Sequence, residues 1–282
     1  MRIAVASGKG GTGKTTVAVN FSLFLAGEGK RVHYIDCDVE EPNGHLFLKP
    51  VITTEYRAGV VVPVIDESRC DGCGTCVSVC QYNALVRLGK TVMIFPELCH
   101  GCGGCMRFCP KKAVTETTRH IGMVQKGMSG WIRCSGGTLA IGEAMSPPLI
   151  REVLRSADDA DISILDAPPG TSCPVVNVVR NADMVVLVTE PTPFGLHDLG
   201  LAIDMVREMQ KPFGVVINRD TSECDNADRF CREQGASIFA RIPDERKLAE
   251  VYSRGEMFLD VYPGYRPLFA QLQNAVENRR MP

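Results

Sequence analysis

Long apolar runs are missing from this sequence. No stretch approaches the ~18 consecutive apolar residues of a membrane span. The apolar opening Ile3 to Ala6 is cut short by Gly8 and Lys9, so neither a secretory leader nor stable membrane insertion is expected. The chain therefore reads as cytoplasmic, with its thiols kept reduced. Charge of one sign is missing too: 31 Lys and Arg stand against 33 Asp and Glu, a formal net charge of −2. That balance supplies no basic field, and no nucleic-acid partner is expected. Histidine is scarce, and His33, His45, His100, His120 and His197 show no metal-ligand spacing. Tryptophan is reduced to Trp131, which belongs to no motif.

Cysteine is what the chain has in excess. Of its 13 cysteines, eight fall in two runs of one spacing, Cys70, Cys73, Cys76, Cys80 and then Cys99, Cys102, Cys105, Cys109. Each run is C-x2-C-x2-C-x3-C, an iron–sulfur signature in which closely spaced thiolates wrap a cluster on a tight loop, while the fourth Cys ligates the other run's cluster. On that reading Cys70, Cys73, Cys76 and Cys109 hold one [4Fe-4S] cluster, and Cys99, Cys102, Cys105 and Cys80 hold the second. Every cysteine of the second run stands 29 residues after its counterpart, Cys99 after Cys70. Ile65 and Ile94, and Ala84 and Ala113, repeat at the same offset, which marks an internal duplication. The second run ends in Cys109-Pro110 and the first in Cys80-Gln81, a change of turn residue that costs no ligand. Structural zinc gathers two C-x2-C pairs rather than an unbroken run of four cysteines, and disulfides do not suit a reduced compartment.

The second motif opens the chain. Arg2 to Ser7 reads as a buried strand and Thr15 to Leu25 as a helix, joined by Gly8, Lys9, Gly10, Gly11, Thr12, Gly13, Lys14, Thr15 and Thr16. The stretch satisfies G-x4-G-K-[ST], a phosphate loop whose backbone N–H groups and helix N-terminus close on phosphate oxygens, with Lys14 on the β/γ-phosphates and Thr15 on Mg²⁺. Gly8, Gly10 and Gly13 also spell the dinucleotide pattern G-x-G-x-x-G, with Asp36 at the end of the second strand. Lys14 and Thr15 directly after the last glycine, and Asp166 closing the strand Ile162 to Leu165 as a Walker-B carboxylate, decide for the phosphate loop.

With Lys9 at its second position, the loop resembles the deviant Walker-A ATPases of the MinD, ParA, Mrp and nitrogenase iron-protein group. The resemblance implies a homodimer formed on ATP binding, in which Lys9 crosses to the partner's nucleotide much as an arginine finger does. It implies that Asp38, in the switch-I-like Asp36-Cys37-Asp38, orients the attacking water. It implies that Asp166, opening the switch-II-like Asp166 to Thr171, acts on Mg²⁺ through water. Thr189-Glu190-Pro191-Thr192 matches the group as well. Asn218 stands where the group reads the adenine base, and Pro243, Asp244 and Glu245 would supply the other wall.

Apolar runs near residues 2–7, 31–36, 137–141, 161–166, 183–188, 213–217 and 237–242, mostly separated by helix-length segments, predict an α/β fold with a mostly parallel sheet covered on both faces. The cysteine repeat interrupts this series. It predicts a small α+β bacterial-type ferredoxin domain at residues 59–118, inserted between ATPase segments 1–58 and 119–282. Tyr265, Leu268, Phe269, Leu272 and Val276 predict a last helix packed on the sheet. Cys37, Cys134, Cys173, Cys224 and Cys231 remain outside the clusters. Cys173 lies seven residues after Asp166, where the nitrogenase iron protein carries an interface ligand, but Gly142 to Ile150 holds no second cysteine.

These features together predict an ATPase that binds ATP, Mg²⁺ and two [4Fe-4S] clusters. It would couple ATP to electron or metal-cluster delivery to a redox or metal-cofactor acceptor protein, in metal-cofactor assembly or reductive activation. The other reading is a MinD/ParA-like nucleotide-switched positioning or assembly factor whose ferredoxin lobe senses redox state.

Overall fold

A computed structural model describes residues 1–156, 160–221 and 225–278; Cys224 lies outside the described residues. Its strands are β1 (Arg2–Ala6), β2 (Val32–Asp36), β3 (Val51–Ile65), β4 (Leu85–Leu88), β5 (Thr91–Ile94), β6 (Val114–Ser129), β7 (Ile132–Leu139), β8 (Ile162–Asp166), β9 (Met184–Thr189), β10 (Phe213–Asp220) and β11 (Ile238–Pro243). Nine of them form one sheet in the order β11-β10-β9-β1-β8-β2-β7-β6-β3. β1 lies parallel between β8 and β9, β2 lies parallel between β8 and β7, and β10 lies parallel between β9 and β11.

Both faces of the central strands are covered. Ile3 and Val5 on β1, and Ile162 and Ile164 on β8, belong to one core cluster, while Ala4 and Leu165, paired across the two strands, are fully buried on the opposite face. Burial on both sides is why these strands read as continuous apolar runs rather than alternating ones. The last helix, Arg266–Asn278, packs Phe269 against Phe21 and Phe24, with ring centroids 6.3 Å apart in each pair. Its apolar stripe is thus spent on the core, as its spacing predicts. No described helix is long and apolar enough to cross a membrane.

Two parts of the sequence reading shift. The strand expected at 137–141 lies earlier, at Ile132–Leu139, because the two-residue turn Gly130-Trp131 starts it sooner. The long strands β3 and β6 were not expected: residues 51–55 and 115–118 are exposed, and the apolar stretch 60–65 of β3 falls inside the segment read as the cysteine insertion.

The chain forms two compact units, one of Met1–Tyr56, Val124–Thr138 and Ile150–Pro282, the other of Arg57–Met123 and Leu139–Leu149. The second unit is wider than the segment 59–118 because the loop after β7 belongs to it. Arg119 pairs with Glu143, which is nearly buried, and the Ala140 N–H donates to Ile121 O at 2.9 Å. This unit also contains the antiparallel pair β4-β5 and a small core of Cys76, Ala84, Leu85, Val92 and Val114, with Cys70, Cys80, Cys99, Cys105 and Cys109 packed around it.

Candidate functional site

β1 delivers the chain into the glycine loop at one end of the parallel sheet. The Ser7 hydroxyl donates to Lys9 O at 2.6 Å, and the helix Lys14–Gly27 begins directly after Gly13, whose φ is 90°. Only glycine adopts that backbone without strain. The space is closed as well, because a Cβ on Gly13 would lie 2.2 Å from Asn218 Nδ2. Asn218 in turn donates from Nδ2 to Thr12 O at 2.8 Å. A register shift between Ile217 and Asp220 against β11, with Arg219 at φ 54°, aims Asn218 back across the loop.

A cavity of about 270 Å³, open to solvent, lies there. Gly11, Gly13, Lys14, Thr15 and Thr16 form one side; Asn218, Pro243 and Asp244 form the other. The structure thus brings the loop, the end of β10 and the end of β11 to one cavity. Gly8, Lys9 and Gly10 lie on the loop's approach, outside the cavity wall. Glu190, from the matching Thr189-to-Thr192 stretch, pairs with Arg219 at 2.6 Å, and Thr192 caps the helix Pro193–Glu208 by accepting from Gly195 N at 3.0 Å.

Beside the loop stands a buried acidic pair. Asp166 is 1% exposed and accepts from the Tyr34 hydroxyl on Oδ2 at 2.8 Å, while its Oδ1 is buried with no partner among the described residues. The Thr12 hydroxyl is equally orphaned. Buried oxygens in this state are where a cation, water or ligand is expected. Asp166 and Thr15 offer hard oxygen donors of the kind Mg²⁺ takes, so the residues present fit that ion. Burial raises the Asp166 carboxyl, against the pull of the Lys14 ammonium and the hydroxyls of Thr15 and Tyr34. Burial, and then the Asp166 charge, push Asp36 up to about 8.

Asp36 does structural work that the sequence did not announce. Its Oδ1 accepts from Asp38 N at 3.1 Å and its Oδ2 from Asn43 N and Gly44 N at 3.2 and 3.0 Å. The loop carrying Asp38 is therefore pinned at both ends. Asp38 is half-buried; burial raises its carboxyl while Glu41 N–H and Lys14 draw it down. Asn43, with a buried and unpartnered Oδ1, reaches the cavity wall. Tyr34 and Asn43 were missed by sequence reasoning, and Asp36 was placed in the switch-I-like stretch without its pinning role. The available signal was a tyrosine in the middle of a buried strand, whose hydroxyl must find a partner.

The cysteine unit has two smaller pockets. One is walled by Cys80, Cys99, Cys102 and Cys105; the other by Cys70, Cys73, Cys76 and Cys109. These are the two crossed sets, three cysteines of one run and the last of the other. Gly74 and Gly103, at φ 82° and 69°, let each loop turn between its second and third cysteines. Backbone N–H groups already point at sulfur, Gly101 N at Cys99 Sγ (3.4 Å) and Ala113 N at Cys109 Sγ (3.3 Å). Burial raises the thiols of Cys76 and Cys105, which occupy equivalent positions. Among the described residues no three His, Cys, Asp or Glu side chains converge on a single ion. Four sulfurs around a cavity, with N–H donors aimed at them, are a donor set that fits an iron–sulfur cluster. Cys173 is exposed at the start of the helix Cys173–Arg180, in the ATPase unit, and belongs to neither set.

Comparison with known proteins agrees with the geometry of the larger unit. Residues 3–258 match the CobQ/CobB/MinD/ParA nucleotide binding domain. An uncharacterized protein of Methanocaldococcus jannaschii is 31% identical over 271 residues, covering 92% of this chain and 91% of that protein. An iron-sulfur cluster carrier protein of Pyrococcus horikoshii is 25% identical, over 90% of this chain and 77% of its own length. Among solved structures, the septum site-determining protein MinD of Pyrococcus horikoshii, complexed with Mg-ADP, superposes with a TM-score of 0.63 at 17% identity, covering 98% of this chain and 96% of that one. That likeness is one of fold.

Proposed function

The chain belongs to the CobQ/CobB/MinD/ParA nucleotide-binding family and is a MinD/ParA-type ATPase; from that premise we propose that it couples ATP to electron or iron–sulfur cluster delivery to an acceptor protein. The observation that carries this reading is the presence, on one chain, of the phosphate-loop cavity and of two pockets each walled by four cysteines. The name of the Pyrococcus carrier proteins supports the second half of the statement.

In the ATPase unit the loop N–H groups and Lys14 hold the β- and γ-phosphates, and Asn218 with Pro243 and Asp244 receives the base. Thr15 would hold Mg²⁺ and the orphaned Asp166 Oδ1 would act on it through water; when bound, the ion would neutralise phosphate charge. Asp38, pinned by Asp36, orients the attacking water. Lys9 reaches the nucleotide of a second protomer, and catalysis is positioning and charge neutralisation. In the cysteine unit the crossed sets hold two [4Fe-4S] clusters, which when bound carry single electrons. Cys80 and Cys109 tie the two sites together, since each leaves its own run to complete the other.

The test is transfer from anaerobically loaded, reduced protein, with methyl viologen as one-electron acceptor and an apo [4Fe-4S] protein as cluster acceptor. Transfer accelerated by ATP in the wild type and not in Lys14→Ala supports the reading. Transfer indifferent to ATP, together with ATP-dependent polymer or surface association, favours the positioning factor instead.

A further inference from the structure

The duplication gives each cysteine pocket a point-by-point counterpart, so differences between the two can be read residue against residue. The site of Cys70, Cys73, Cys76 and Cys109 is flanked by Asp71 and Lys111, which form an open ion pair at 3.7 Å. Their counterparts 29 residues away are His100 and Tyr82, which flank the site of Cys80, Cys99, Cys102 and Cys105 and stack as rings 3.8 Å apart at 13°. One site is flanked by an exposed ion pair, the other by an exposed pair of stacked rings.

A sharper contrast lies over the equivalent glycines. Arg87 stands over Gly74, its Cδ and a guanidinium nitrogen 3.3 and 3.5 Å from where a Cβ would be; at the same offset Glu116 stands over Gly103, with Oε1 3.4 Å from the corresponding point. The same strand position thus carries a cation at one site and an anion at the other. Thr75 adds a third difference. Its hydroxyl lies 3.4 Å from Cys73 Sγ, close enough to donate to a thiolate there, whereas the counterpart residue is Gly104. The cation on the second side, Arg119, feels Cys99 but is committed to Glu143.

The first difference has no sign, because the ion pair balances its own charge and both rings are exposed; the other two act in one direction. Reduction makes a thiolate-ligated cluster one charge more negative, which nearby cations, donors to sulfur and solvent favour, and which anions and burial oppose. We propose that the two sites are electrically unequal: the cluster held by Cys70, Cys73, Cys76 and Cys109 takes the first electron, and the one held by Cys80, Cys99, Cys102 and Cys105 is the stronger reductant. This rests on the cluster reading above. The lobe is then a stepped store, accepting two electrons one at a time from a low-potential one-electron donor and releasing the more reducing one first.

The test is a spectroscopic redox titration of the full, anaerobically reconstituted chain, with dithionite as reductant, after iron and sulfide have been counted in every variant. Two one-electron steps are expected, separated by at least a tenfold difference in equilibrium constant, or about 59 mV. Glu116→Gln should raise only the lower step and Arg87→Gln should depress only the upper one. Two clusters titrating as one step, or Glu116→Gln moving the upper step, overturns the assignment with the cluster reading intact. A chain that takes up no iron removes both readings.

Discussion

Asn218 Nδ2 donates to Thr12 O at 2.8 Å, joining the end of β10 to a phosphate loop 206 residues earlier in the chain. Because the same amide lies 2.2 Å from the point where a Gly13 Cβ would sit, the loop's shape and the far wall of the cavity depend on each other. Gly13→Ala should therefore abolish binding of a fluorescent ATP analogue. Asn218→Ala should weaken it by about 1–3 kcal/mol, the cost of unpairing a buried polar group. Tight binding by Gly13→Ala would mean that the loop does not hold phosphate in this geometry.

Asp36 binds its proton more tightly folded than unfolded, with a folded value of about 8 against 3.8. The stability contributed by its protonated form is complete below pH ~3.8 and is lost as pH rises through about 8, at up to about 1.4 kcal/mol per pH unit. Thermal melts of Mg²⁺-free protein should fall in midpoint over that range, and Asp36→Asn should flatten the fall. Mg²⁺ should restore stability most at the alkaline end, where both carboxylates of the pair are charged. A midpoint that instead rises from pH 5 to 8 in Mg²⁺-free protein contradicts the shared burial of Asp36 and Asp166.

Lys9→Ala should bind ATP yet lose ATP-dependent dimerisation in analytical ultracentrifugation. Asp38→Ala should bind ATP and hold the dimer, with hydrolysis lowered by roughly 10³-fold, the scale of contributions in such sites. Unchanged dimerisation in Lys9→Ala would return Lys9 to an ordinary solvated role.

Iron and acid-labile sulfide should each approach about eight per chain after anaerobic reconstitution, two clusters of four. Cys73→Ser and Cys102→Ser should each impair one cluster, while Cys173→Ser, which belongs to neither four-cysteine set, should spare both. Stoichiometric zinc without visible absorption would sink the cluster assignment.

The ATPase fold was legible because its strands are buried on both faces and its loop chemistry is local: Gly8 to Thr16 are contiguous, and Asp166 closes an apolar run. What escaped was non-local. Tyr34 shows only as an aromatic in a strand until the fold sets it 2.8 Å from Asp166, and the pinning role of Asp36 depends on where Asn43 and Gly44 turn. β3 and β6 escaped because the exposed stretches 51–55 and 115–118 carry little apolar signal, and the apolar stretch 60–65 was read as part of the cysteine insertion. The contrast between Arg87 and Glu116 was written at a fixed offset all along. It gained meaning only when both side chains were found over equivalent glycines.

Coupling between nucleotide and clusters is the central claim, and the potentials of both clusters measured in the apo, ADP-bound and non-hydrolysable-ATP-bound protein test it most directly. The account predicts that at least one step shifts by about 30 mV or more on binding the ATP analogue, roughly 0.7 kcal/mol for one electron, with nucleotide affinity changing reciprocally between oxidised and reduced protein. Potentials and affinities identical in all states would contradict it, leaving the cysteine unit a passenger on the ATPase.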